Sequence, residues 1–428
     1  MKNRQASKPT SSHVLRDVAN ALVTSAILAG GATATSAHAA WIDTWTASAQ
    51  PIWAADALPL ATGIPDSLAD CTVRQFVRVS IGGPRIRIAL SNEYGTTPLE
   101  IGGVRVAKVM DGKTTIDGSA DRTVWFDGRP TVVIAPGTRV VSDPLDLPVA
   151  ALERLAVSLY LPKRTPLTTF HWDGRQHAEV VSGEHLADAR MADALKLDAR
   201  LFLSTLLVDA PADTRVVVAL GDSITDGRGT TIDADRRWTD DLARRLSSRG
   251  VAVLNAGISG GRLLSDGMGV SARARFERDV LSIPNAKTVL MLLGTNDIGW
   301  PGSSFAPHDA PMTTAVIVDG YRDLIARAHA RGLRVVGGTI APFAGALEGT
   351  DVQGYYTADK ERVREEVNAW IRASGAFDAV ADFDSAMRDP QHPKRLLPAF
   401  DVGDHLHPND AGNVAMARVL TRAILFGE

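Results

Sequence analysis

The chain has 428 residues, of which 45% are hydrophobic and 22% are charged, and its formal net charge is −3. This composition is that of a folded protein with more than one hydrophobic core, and it excludes a disordered chain. The small net charge provides no electrostatic reason to bind nucleic acid or an anionic membrane surface. Because Cys71 is the single cysteine, an intrachain disulfide and a cysteine-based metal site are both excluded, and a buried apolar role is expected for it.

Residues 1–39 are predicted to be a secretory signal peptide. Residues 1–16 contain four basic and no acidic residues, residues 18–30 are apolar and rich in alanine, and Ala-His-Ala at 37–39 is a small-x-small cleavage pattern. The alternatives are a membrane anchor and a disordered tail, but the apolar stretch is shorter than the roughly 20 residues that a membrane span needs. We therefore expect export, to a bacterial periplasm or beyond, with no stable membrane insertion after the signal is removed.

Residues 41–210 have the pattern of an all-β domain. Apolar residues alternate in period two around Val73 and Val77 and again around Ile86 and Ile88, and clusters of Gly, Pro, Asn and Asp mark the turns between such runs. Many short strands at this spacing predict a jelly-roll-like β-sandwich that acts as an accessory domain. Further candidate strands occupy residues 99–109, 123–126, 131–134, 155–161, 167–172 and 178–181.

Five tryptophans of this region are candidates for a surface that stacks on sugars, because an aromatic ring can pack on the apolar face of a pyranose. The alternative for each is a place in the core or in a domain interface, which is the commoner fate of a tryptophan. The five are Trp41, Trp45, Trp53, Trp125 and Trp172.

From residue 211 onward the pattern changes to strands that alternate with helices, after a predicted linker at residues 210–213. Apolar strands are predicted at residues 216–220, 251–254, 288–293, 333–339 and 376–383, and helices at 235–249, 314–330, 358–371 and 409–425. Alternation of this kind predicts a mostly parallel five-stranded sheet with helices on both faces. Such folds bind their ligands beyond the carboxyl ends of the strands, where this chain places its polar, glycine-rich segments.

Three residues are candidates for nucleophilic catalysis. Ser223 follows the first apolar strand of the α/β region, which is how a parallel sheet presents a nucleophile. His407 can act as its base, and Asp404, three residues earlier, can hold the imidazole in the required orientation. Taken singly, each has an ordinary alternative: Ser223 as a turn or helix-cap residue, Asp404 as a cap of the final helix, and His407 as a surface residue.

Two further residues are candidates to stabilise a developing oxyanion, together with the N–H of Ser223. Gly260 follows the second strand of the α/β region, and its lack of a Cβ lets the backbone N–H approach a substrate. Asn296 follows the third strand, and its side-chain amide can donate a hydrogen bond. The alternative for both is ordinary turn chemistry between a strand and a helix.

The four polar segments together resemble the SGNH, or GDSL, hydrolase family. The blocks are Gly-Asp-Ser-Ile-Thr at 221–225, Asn-Ala-Gly-Ile-Ser-Gly at 255–260, Gly-Thr-Asn-Asp at 294–297 and Asp-His-Leu-His at 404–407. The resemblance implies a flavodoxin-like three-layer α/β/α catalytic domain over residues 211–428. It also implies a nucleophile at Ser223, oxyanion donors at Ser223, Gly260 and Asn296, and the remaining triad members at Asp404 and His407. The β-rich part, with Arg-Gln at 74–75 and Leu-Ser-Asn-Glu-Tyr-Gly at 90–95, resembles secreted two-domain bacterial members more weakly.

Three other interpretations compete with this one: a metal hydrolase, an α/β-hydrolase and a glycan-binding protein. A metal hydrolase could use Asp404, His405 and His407 as ligands, but the sequence offers no second cluster and no His-Glu-x-x-His motif. The Gly-x-Ser-x-Gly elbow of α/β-hydrolases is absent because residue 225 is threonine. A secreted glycan-binding protein without activity is the rival from a different class, and the presence of all five chemical residues argues against it.

The resemblance implies a serine esterase that forms an acyl-enzyme without a metal or a cofactor. Export and a β-sandwich partner fit the removal of short acyl groups, acetyl above all, from a carbohydrate, and the alternative is a lipase or arylesterase that acts on lipid or aryl esters. We expect the substrate to be a small molecule or a polysaccharide. The pocket walls are predicted in the loops at residues 262–268, 298–311 and 343–356, with contributions from Trp300, Phe305 and Tyr355.

Overall fold

The computed structural model describes residues 39–53, 58–110 and 114–428. The predicted signal peptide lies outside the described residues except for Ala39, which begins the first strand. Residues Ala37–Glu428 form one unit. Within the described ranges, no helix has the length and the apolar character that a membrane span needs.

The first half of the described chain consists of antiparallel strands, as its period-two patterns predict. The strands are β1 Ala39–Thr46, β2 Gln50–Pro51, β3 Ser67–Leu68, β4 Cys71–Arg78, β5 Ile86–Ser91, β6 Leu99–Ile101, β7 Gly103–Lys108, β8 Arg122–Thr123, β9 Val132–Ile134, β10 Arg139–Val141, β11 Arg154–Leu161, β12 Thr165–Pro166, β13 Thr169–Trp172, β14 Ala178–Ser182, β15 Leu195–Leu197, β16 Ala199–Leu201 and β17 Leu203–Pro211. They form a six-stranded sheet in the order β15-β14-β4-β11-β7-β8, a four-stranded sheet in the order β1-β17-β5-β10, the three-stranded sheet β16-β13-β2, and the pairs β12-β3 and β6-β9.

Several boundaries in this half differ from the predicted ones. The single strand predicted at residues 99–109 is two strands, because the chain changes partner at Gly102: β6 pairs with β9 and β7 pairs with β11. The predicted linker begins inside β17, whose last residue, Pro211, pairs with Ala39 of β1. Neither β1 nor β17 was predicted. Cys71 is a buried free cysteine, as expected, and burial raises the pKa of its thiol to about 11, with Asp70 adding to the shift.

The second half alternates strands with helices. Its strands are β18 Arg215–Gly221, β19 Val251–Gly257, β20 Ala286–Leu292, β21 Arg334–Gly338 and β22 Ala379–Ala381. Its helices are α1 Ser223–Asp226, α2 Trp238–Leu246, α3 Ala272–Phe276, α4 Thr295–Gly299, α5 Thr314–Ala330, α6 Ala358–Ala373, α7 Phe383–Met387, α8 Asp410–Val419 and α9 Arg422–Phe426. A single π-helical turn, Glu277–Leu281, continues α3.

The strands of this half form one parallel sheet in the order β19-β18-β20-β21-β22, which is the doubly wound arrangement that the sequence predicts. Both faces of the sheet are covered. On β18, Val217 and Ala219 belong to the hydrophobic cluster that contains residues of α2 and α8, whereas Val216 and Val218 belong to the cluster that contains residues of α5. Burial of β18 on both faces of the sheet therefore explains why its sequence is apolar without interruption from Val216 to Leu220.

The four predicted helices are present with altered bounds in all but one of them, and the short helices α1, α3, α4 and α7 were not predicted. The predicted bounds of α5 are confirmed, since it spans Thr314–Ala330. The single helix predicted at residues 409–425 is divided, because Leu420 adopts an extended backbone with ψ of 90° and Thr421 then caps α9. The strand predicted at residues 376–383 is limited to Ala379–Ala381, since Phe383 already begins α7.

Hydrogen bonds join the β-rich half to the α/β half at several points. The side chain of Ser80 accepts from the N–H of Val253 on β19 at 3.2 Å, and the Gln50 amide donates to the carbonyl of Met268 at 2.7 Å. One hydrophobic cluster also contains side chains of both halves, among them Ile42 of β1 and Val216 of β18. The division into a domain at residues 41–210 and another at 211–428 stays a prediction, and the two parts share a core.

A buried arginine connects α3 to the ends of two sheet strands. Arg275 is 2% exposed, and its guanidinium donates to the carbonyl of Gly221 at 3.0 Å and to the carbonyl of Ala256 at 2.7 Å. Its charge is balanced by Asp279, one helical turn later, at 2.7 Å. These contacts add charged donors to buried strand-end carbonyls, at the place where β18 presents Ser223.

We expect Arg275→Met to lower the free energy of unfolding by about 3 kcal/mol, because it removes buried hydrogen bonds to the carbonyls of Gly221 and Ala256 and one of the guanidinium partners of Asp279. The measurement is equilibrium unfolding in urea. Arg273→Met on the same helix is the control: Arg273 is 59% exposed and pairs with Asp323, so its loss is expected to cost about 1 kcal/mol or less. Equal costs for the two variants would contradict this account of Arg275.

Candidate active site

Ser223 lies at the first position of α1, directly beyond the carboxyl end of β18. Asp222 caps this short helix, since its carboxylate accepts from the N–H of Ile224 at 2.9 Å. The turn requires glycine at position 221, because a Cβ there would lie 2.0 Å from Oγ1 of Thr225. Ser223 itself is 8% exposed, so its hydroxyl is held in a largely buried position that still opens into a cavity.

The structure brings His407 and Asp404 to Ser223 as the sequence predicts. Nε2 of His407 lies 2.9 Å from Oγ of Ser223, and Nδ1 of His407 lies 2.6 Å from a carboxylate oxygen of Asp404. The other Asp404 oxygen accepts from the N–H groups of Leu406 and His407. Burial alone would raise the pKa of Asp404, but these hydrogen bonds and the nearby imidazole bring it down to about 2. Asp404 is therefore ionised at neutral pH and accepts the Nδ1 hydrogen.

Two backbone N–H groups lie beside the Ser223 hydroxyl without a partner. Gly260 follows β19 with φ of +71°, and a Cβ at this position would lie 2.4 Å from Sδ of Met268, so both conformation and space require glycine. Within the described part of the chain, neither the N–H of Gly260 nor that of Ser223 has a hydrogen-bond acceptor. Both line the same cavity, so they are available to an oxygen of a bound substrate.

Three neighbours determine which way the Asn296 amide points. Its Oδ1 accepts from the Tyr355 hydroxyl at 2.7 Å and from Nε1 of Trp300 at 3.1 Å, and its Nδ2 donates to the carbonyl of Gly261 at 3.0 Å. With the oxygen held by two donors, the second hydrogen of Nδ2 remains for the cavity. Burial raises the pKa of Tyr355 well above its ordinary value, and the nearby carboxylates add to the shift, so the hydroxyl stays a donor.

The loop that carries Gly260 is held by buried charged groups from both halves of the chain. Asp226 of α1 accepts from the N–H of Ser259 at 3.0 Å, and its other oxygen lies 2.9 Å from Nε2 of His171 on β13. Nδ1 of His171 lies 2.9 Å from the carbonyl of Ser48, so it must donate there. The Ser259 hydroxyl is also 3.2 Å from Asp173. The β-rich half thus supports the backbone of a predicted oxyanion donor, a connection that the sequence does not reveal.

Two buried carboxyl groups near the site hold backbone segments. Asp297 accepts from the N–H groups of Leu263 and Leu264, and burial still raises its pKa. Burial raises the pKa of Asp222 to about 7, although the hydrogen bond from Ile224 and the nearby His407 lower it. Because the unfolded chain titrates Asp222 near 3.8, its burial makes the folded state lose stability as the pH rises from about 4 to 7.

A cavity of about 290 Å³ is lined by the five predicted site residues, which are Ser223, Gly260, Asn296, Asp404 and His407. The three loops predicted to form its walls do so, with Met268 from the first, the stacked rings of Trp300 and Phe305 from the second, and Tyr355 from the third. The apolar walls are completed by Leu347, Val352 and Leu406. Three residues of the β-rich half also line the cavity, and they were not predicted to do so: Leu60, Trp172 and Asp173.

Trp172 is the single member of the five candidate tryptophans that lines this cavity within the described residues. Its ring is held by a hydrogen bond from Nε1 to the carbonyl of Thr62 at 3.0 Å and by an edge contact with Trp53. Trp41 and Trp45 lie under arginine side chains instead, and Trp125 is 44% exposed away from the cavity. Of the five candidate tryptophans, Trp172 is therefore the one that is placed to contact a substrate in this cavity.

His405 pairs with Asp401. Its Nδ1 lies 2.6 Å from a carboxylate oxygen of Asp401, and its backbone has φ of +58°. Among the described residues, no group of three or more His, Cys, Asp or Glu side chains is arranged to hold a metal ion. The three-ligand set of Asp404, His405 and His407 is therefore not assembled here.

An open parallel sheet that presents a serine, a histidine and an aspartate beyond its strand ends is an arrangement that can support acyl transfer to the serine. Residues 219–415 match the model of the GDSL-like lipase/acylhydrolase family, and this range includes all five predicted site residues. This part of the chain is therefore similar to a GDSL-like lipase/acylhydrolase domain.

Several solved structures are similar to this chain. A GDSL-like lipase from Bacteroides thetaiotaomicron VPI-5482 is 21% identical, with 50% of this chain and 88% of that one covered and a TM-score of 0.38. The acetyl xylan esterase AlAXEase is 21% identical, with 49% and 100% covered and a TM-score of 0.36. Est24, a carbohydrate acetylesterase from Sinorhizobium meliloti, is 21% identical, with 47% and 94% covered and a TM-score of 0.35. No curated protein sequence matches the chain.

We expect Tyr355→Phe to lower kcat for a simple ester by about tenfold while KM changes by less than about twofold. The variant removes one of the two donors that orient the Asn296 amide, and a misplaced oxyanion donor weakens transition-state binding more than substrate binding. The measurement is steady-state kinetics with p-nitrophenyl acetate.

Tyr356→Phe is the matched control, because Tyr356 packs on Phe343 and makes no hydrogen bond to Asn296. We expect it to keep the parent kcat. An unchanged kcat in Tyr355→Phe, with the unfolding temperature of both variants measured alongside, would show that the hydroxyl does not position the amide.

Proposed function

We propose that this chain is a secreted serine esterase that hydrolyses carboxylic esters through an acyl-enzyme, without a metal or a cofactor. The observation that carries the proposal is the 2.9 Å contact between Oγ of Ser223 and Nε2 of His407, at a cavity where the N–H groups of Ser223 and Gly260 have no acceptor among the described residues. A serine with a base in this position is an activated nucleophile. The N–H groups are available to bind the oxyanion that forms when it attacks an ester.

In the first half of the reaction, His407 takes the hydroxyl proton as Oγ of Ser223 attacks the ester carbonyl carbon. The carbonyl oxygen becomes an oxyanion and accepts hydrogen bonds from the N–H groups of Ser223 and Gly260 and from the Asn296 amide. His407 then gives its proton to the alcohol oxygen as the ester bond breaks, which leaves the acyl group on Ser223. In the second half, His407 removes a proton from water as the water oxygen attacks the acyl carbon. The bond between that carbon and Oγ of Ser223 then breaks, His407 returns the proton to Oγ, and the carboxylic acid leaves.

Asp404 stabilises the imidazolium that forms in both halves. Its pKa of about 2 keeps it ionised, and its short contact with Nδ1 leaves Nε2 of His407 to face the serine. The buried Asp222 has a different part, since it caps α1 and holds the turn that presents Ser223.

The acyl group that we propose is short, acetyl above all, and the alcohol is a carbohydrate. A cavity of about 290 Å³ with aromatic walls accommodates a small acyl group, and the Trp172 ring can pack on the apolar face of a sugar. Lipid or aryl esters are the alternative, because the apolar lining also suits them. A glycan-binding protein without activity is the third candidate, and it provides no reason for an oriented base beside Ser223.

We also propose that the protein is exported, on the basis of the sequence of residues 1–39. Their basic start, apolar middle and Ala-His-Ala end favour a signal peptide, and we propose that the mature protein acts in a periplasm or outside the cell. We propose no nucleic-acid partner, since the net charge of −3 gives no electrostatic attraction to nucleic acid. We also propose no stable membrane insertion after the signal peptide is removed.

The test is hydrolysis of p-nitrophenyl esters of increasing chain length, beside release of acetate from acetylated xylan. We expect the highest kcat/KM with acetate or propionate esters, and a loss of at least about 10⁴-fold in Ser223→Ala, because the nucleophile is absent. Ser385→Ala is the control, since Ser385 is an exposed residue of α7.

If Ser223→Ala keeps activity within tenfold of the parent, the nucleophile is misassigned. If the folded parent hydrolyses none of the esters, the glycan-binding alternative is favoured. A preference for long acyl chains over acetate would contradict the short-chain part of the proposal and leave the serine mechanism in place.

A further inference from the structure

One cationic side chain at the cavity is not used by the proposed reaction. The backbone N–H of Arg228 donates to the carbonyl of Ser223 at 2.9 Å, so this residue directly follows the turn that carries the nucleophile. Its side chain lines the cavity and is 44% exposed. The remaining charged groups of the cavity lining are the two carboxylates Asp173 and Asp404 and the imidazole of His407.

The guanidinium of Arg228 is only partly satisfied by the protein. Nη1 donates to a carboxylate oxygen of Asp173 at 3.2 Å. Within the described chain, Nε and Nη2 have no hydrogen-bond acceptor. These two N–H groups form one edge of the guanidinium, and such an edge can donate two parallel hydrogen bonds to a carboxylate.

The surroundings hold Arg228 in place while leaving this edge open. Asp173 is 1% exposed and also pairs with Arg175 at 3.1 Å, so one carboxylate is shared by two guanidinium groups. A second carboxylate, that of Asp198, has an oxygen 3.8 Å from Nη1 of Arg175. The guanidinium carbon of Arg228 lies 5.7 Å from the ring centre of Trp172, whose ring is itself fixed by its bond to Thr62.

We propose that Arg228, supported by Asp173 and Trp172, is a specificity residue that binds a carboxylate group carried by the ester substrate. The inference rests on the proposed esterase function and narrows its substrate class to esters of acidic molecules. The carboxylate can belong to the alcohol part, as in an acylated sugar acid, or to the acyl part, as in a half-ester of a dicarboxylic acid. In either case, the carboxylate would accept hydrogen bonds from Nε and Nη2 of Arg228.

Paired substrates test the proposal and distinguish the two sources. For the alcohol part, the pair is 4-acetoxybenzoate and the neutral 4-acetoxybenzamide. For the acyl part, it is the mono-p-nitrophenyl ester of adipic acid and p-nitrophenyl hexanoate. For each pair, the charge preference is kcat/KM of the anionic ester divided by kcat/KM of the neutral one, measured for the parent, Arg228→Gln, Arg228→Lys and Arg322→Gln.

We expect Arg228→Gln to lower the charge preference by about tenfold in one of the pairs, since a charge-assisted bidentate contact at a half-exposed site is lost. Arg228→Lys is expected to keep part of the preference, because it retains the charge without the two-donor edge. Arg322→Gln, an exposed arginine on α5 that is paired with Asp319, is expected to match the parent. The parent's preference should also decrease as sodium chloride is raised.

Equal charge preferences in the parent and Arg228→Gln, for both pairs, would overturn the proposal. In that outcome, hydrolysis of the neutral esters by the parent would leave the esterase function standing. If the parent hydrolyses no ester of either pair, the proposed function fails, and this inference fails with it. Unfolding temperatures of the variants show whether a lost preference comes from the contact or from a damaged fold.

Discussion

The parallel pairing of β18 with its two neighbours is the constraint on which the site depends. Gly221 lies opposite Gly257 of β19 and opposite Leu292 of β20, so three strands end at one level and their following residues meet above the sheet. Neither glycine can be replaced without a clash, since a Cβ at Gly257 would lie 2.4 Å from the N–H nitrogen of Asp226. Arg275 then binds the carbonyls of Gly221 and Ala256 and holds the two strand ends together. The serine hydroxyl and both backbone donors take their positions from this register.

The β-rich half contributes to the site as well as to the core. His171 and Asp173, at the end of β13, contact the loop of the predicted donor Gly260 through Asp226 and Ser259, and the neighbouring Trp172 lines the cavity. Buried charged groups of this kind hold a geometry only when each has a partner, because an unpaired buried charge costs several kcal/mol. The β-rich half therefore forms part of the cavity wall and supports the loop of Gly260.

The sequence predicts the α/β half well because its signals are local. An uninterrupted apolar run such as 216–220 predicts a strand buried on both faces, and four polar blocks after strand ends predict a common site. The prediction fails where the deciding contact is distant in sequence. The pairing of β1 with β17 joins residues about 170 positions apart, and neither strand has a distinctive alternating pattern. The contact of His171 with Asp226 likewise could not be predicted from the sequence, because a lone histidine in a strand does not indicate which residue it will contact. Arg228 also lies outside the four blocks, so no motif indicates it.

Labelling with a fluorophosphonate, followed by peptide mapping, tests the central claim most directly, because this reagent reacts with a serine that an adjacent base activates. The account predicts one label per chain on the tryptic peptide of residues 216–228, at Ser223, and loss of labelling in His407→Ala. A folded protein that takes up no label, or a label that maps to another residue, would contradict the assignment of Ser223 as the nucleophile.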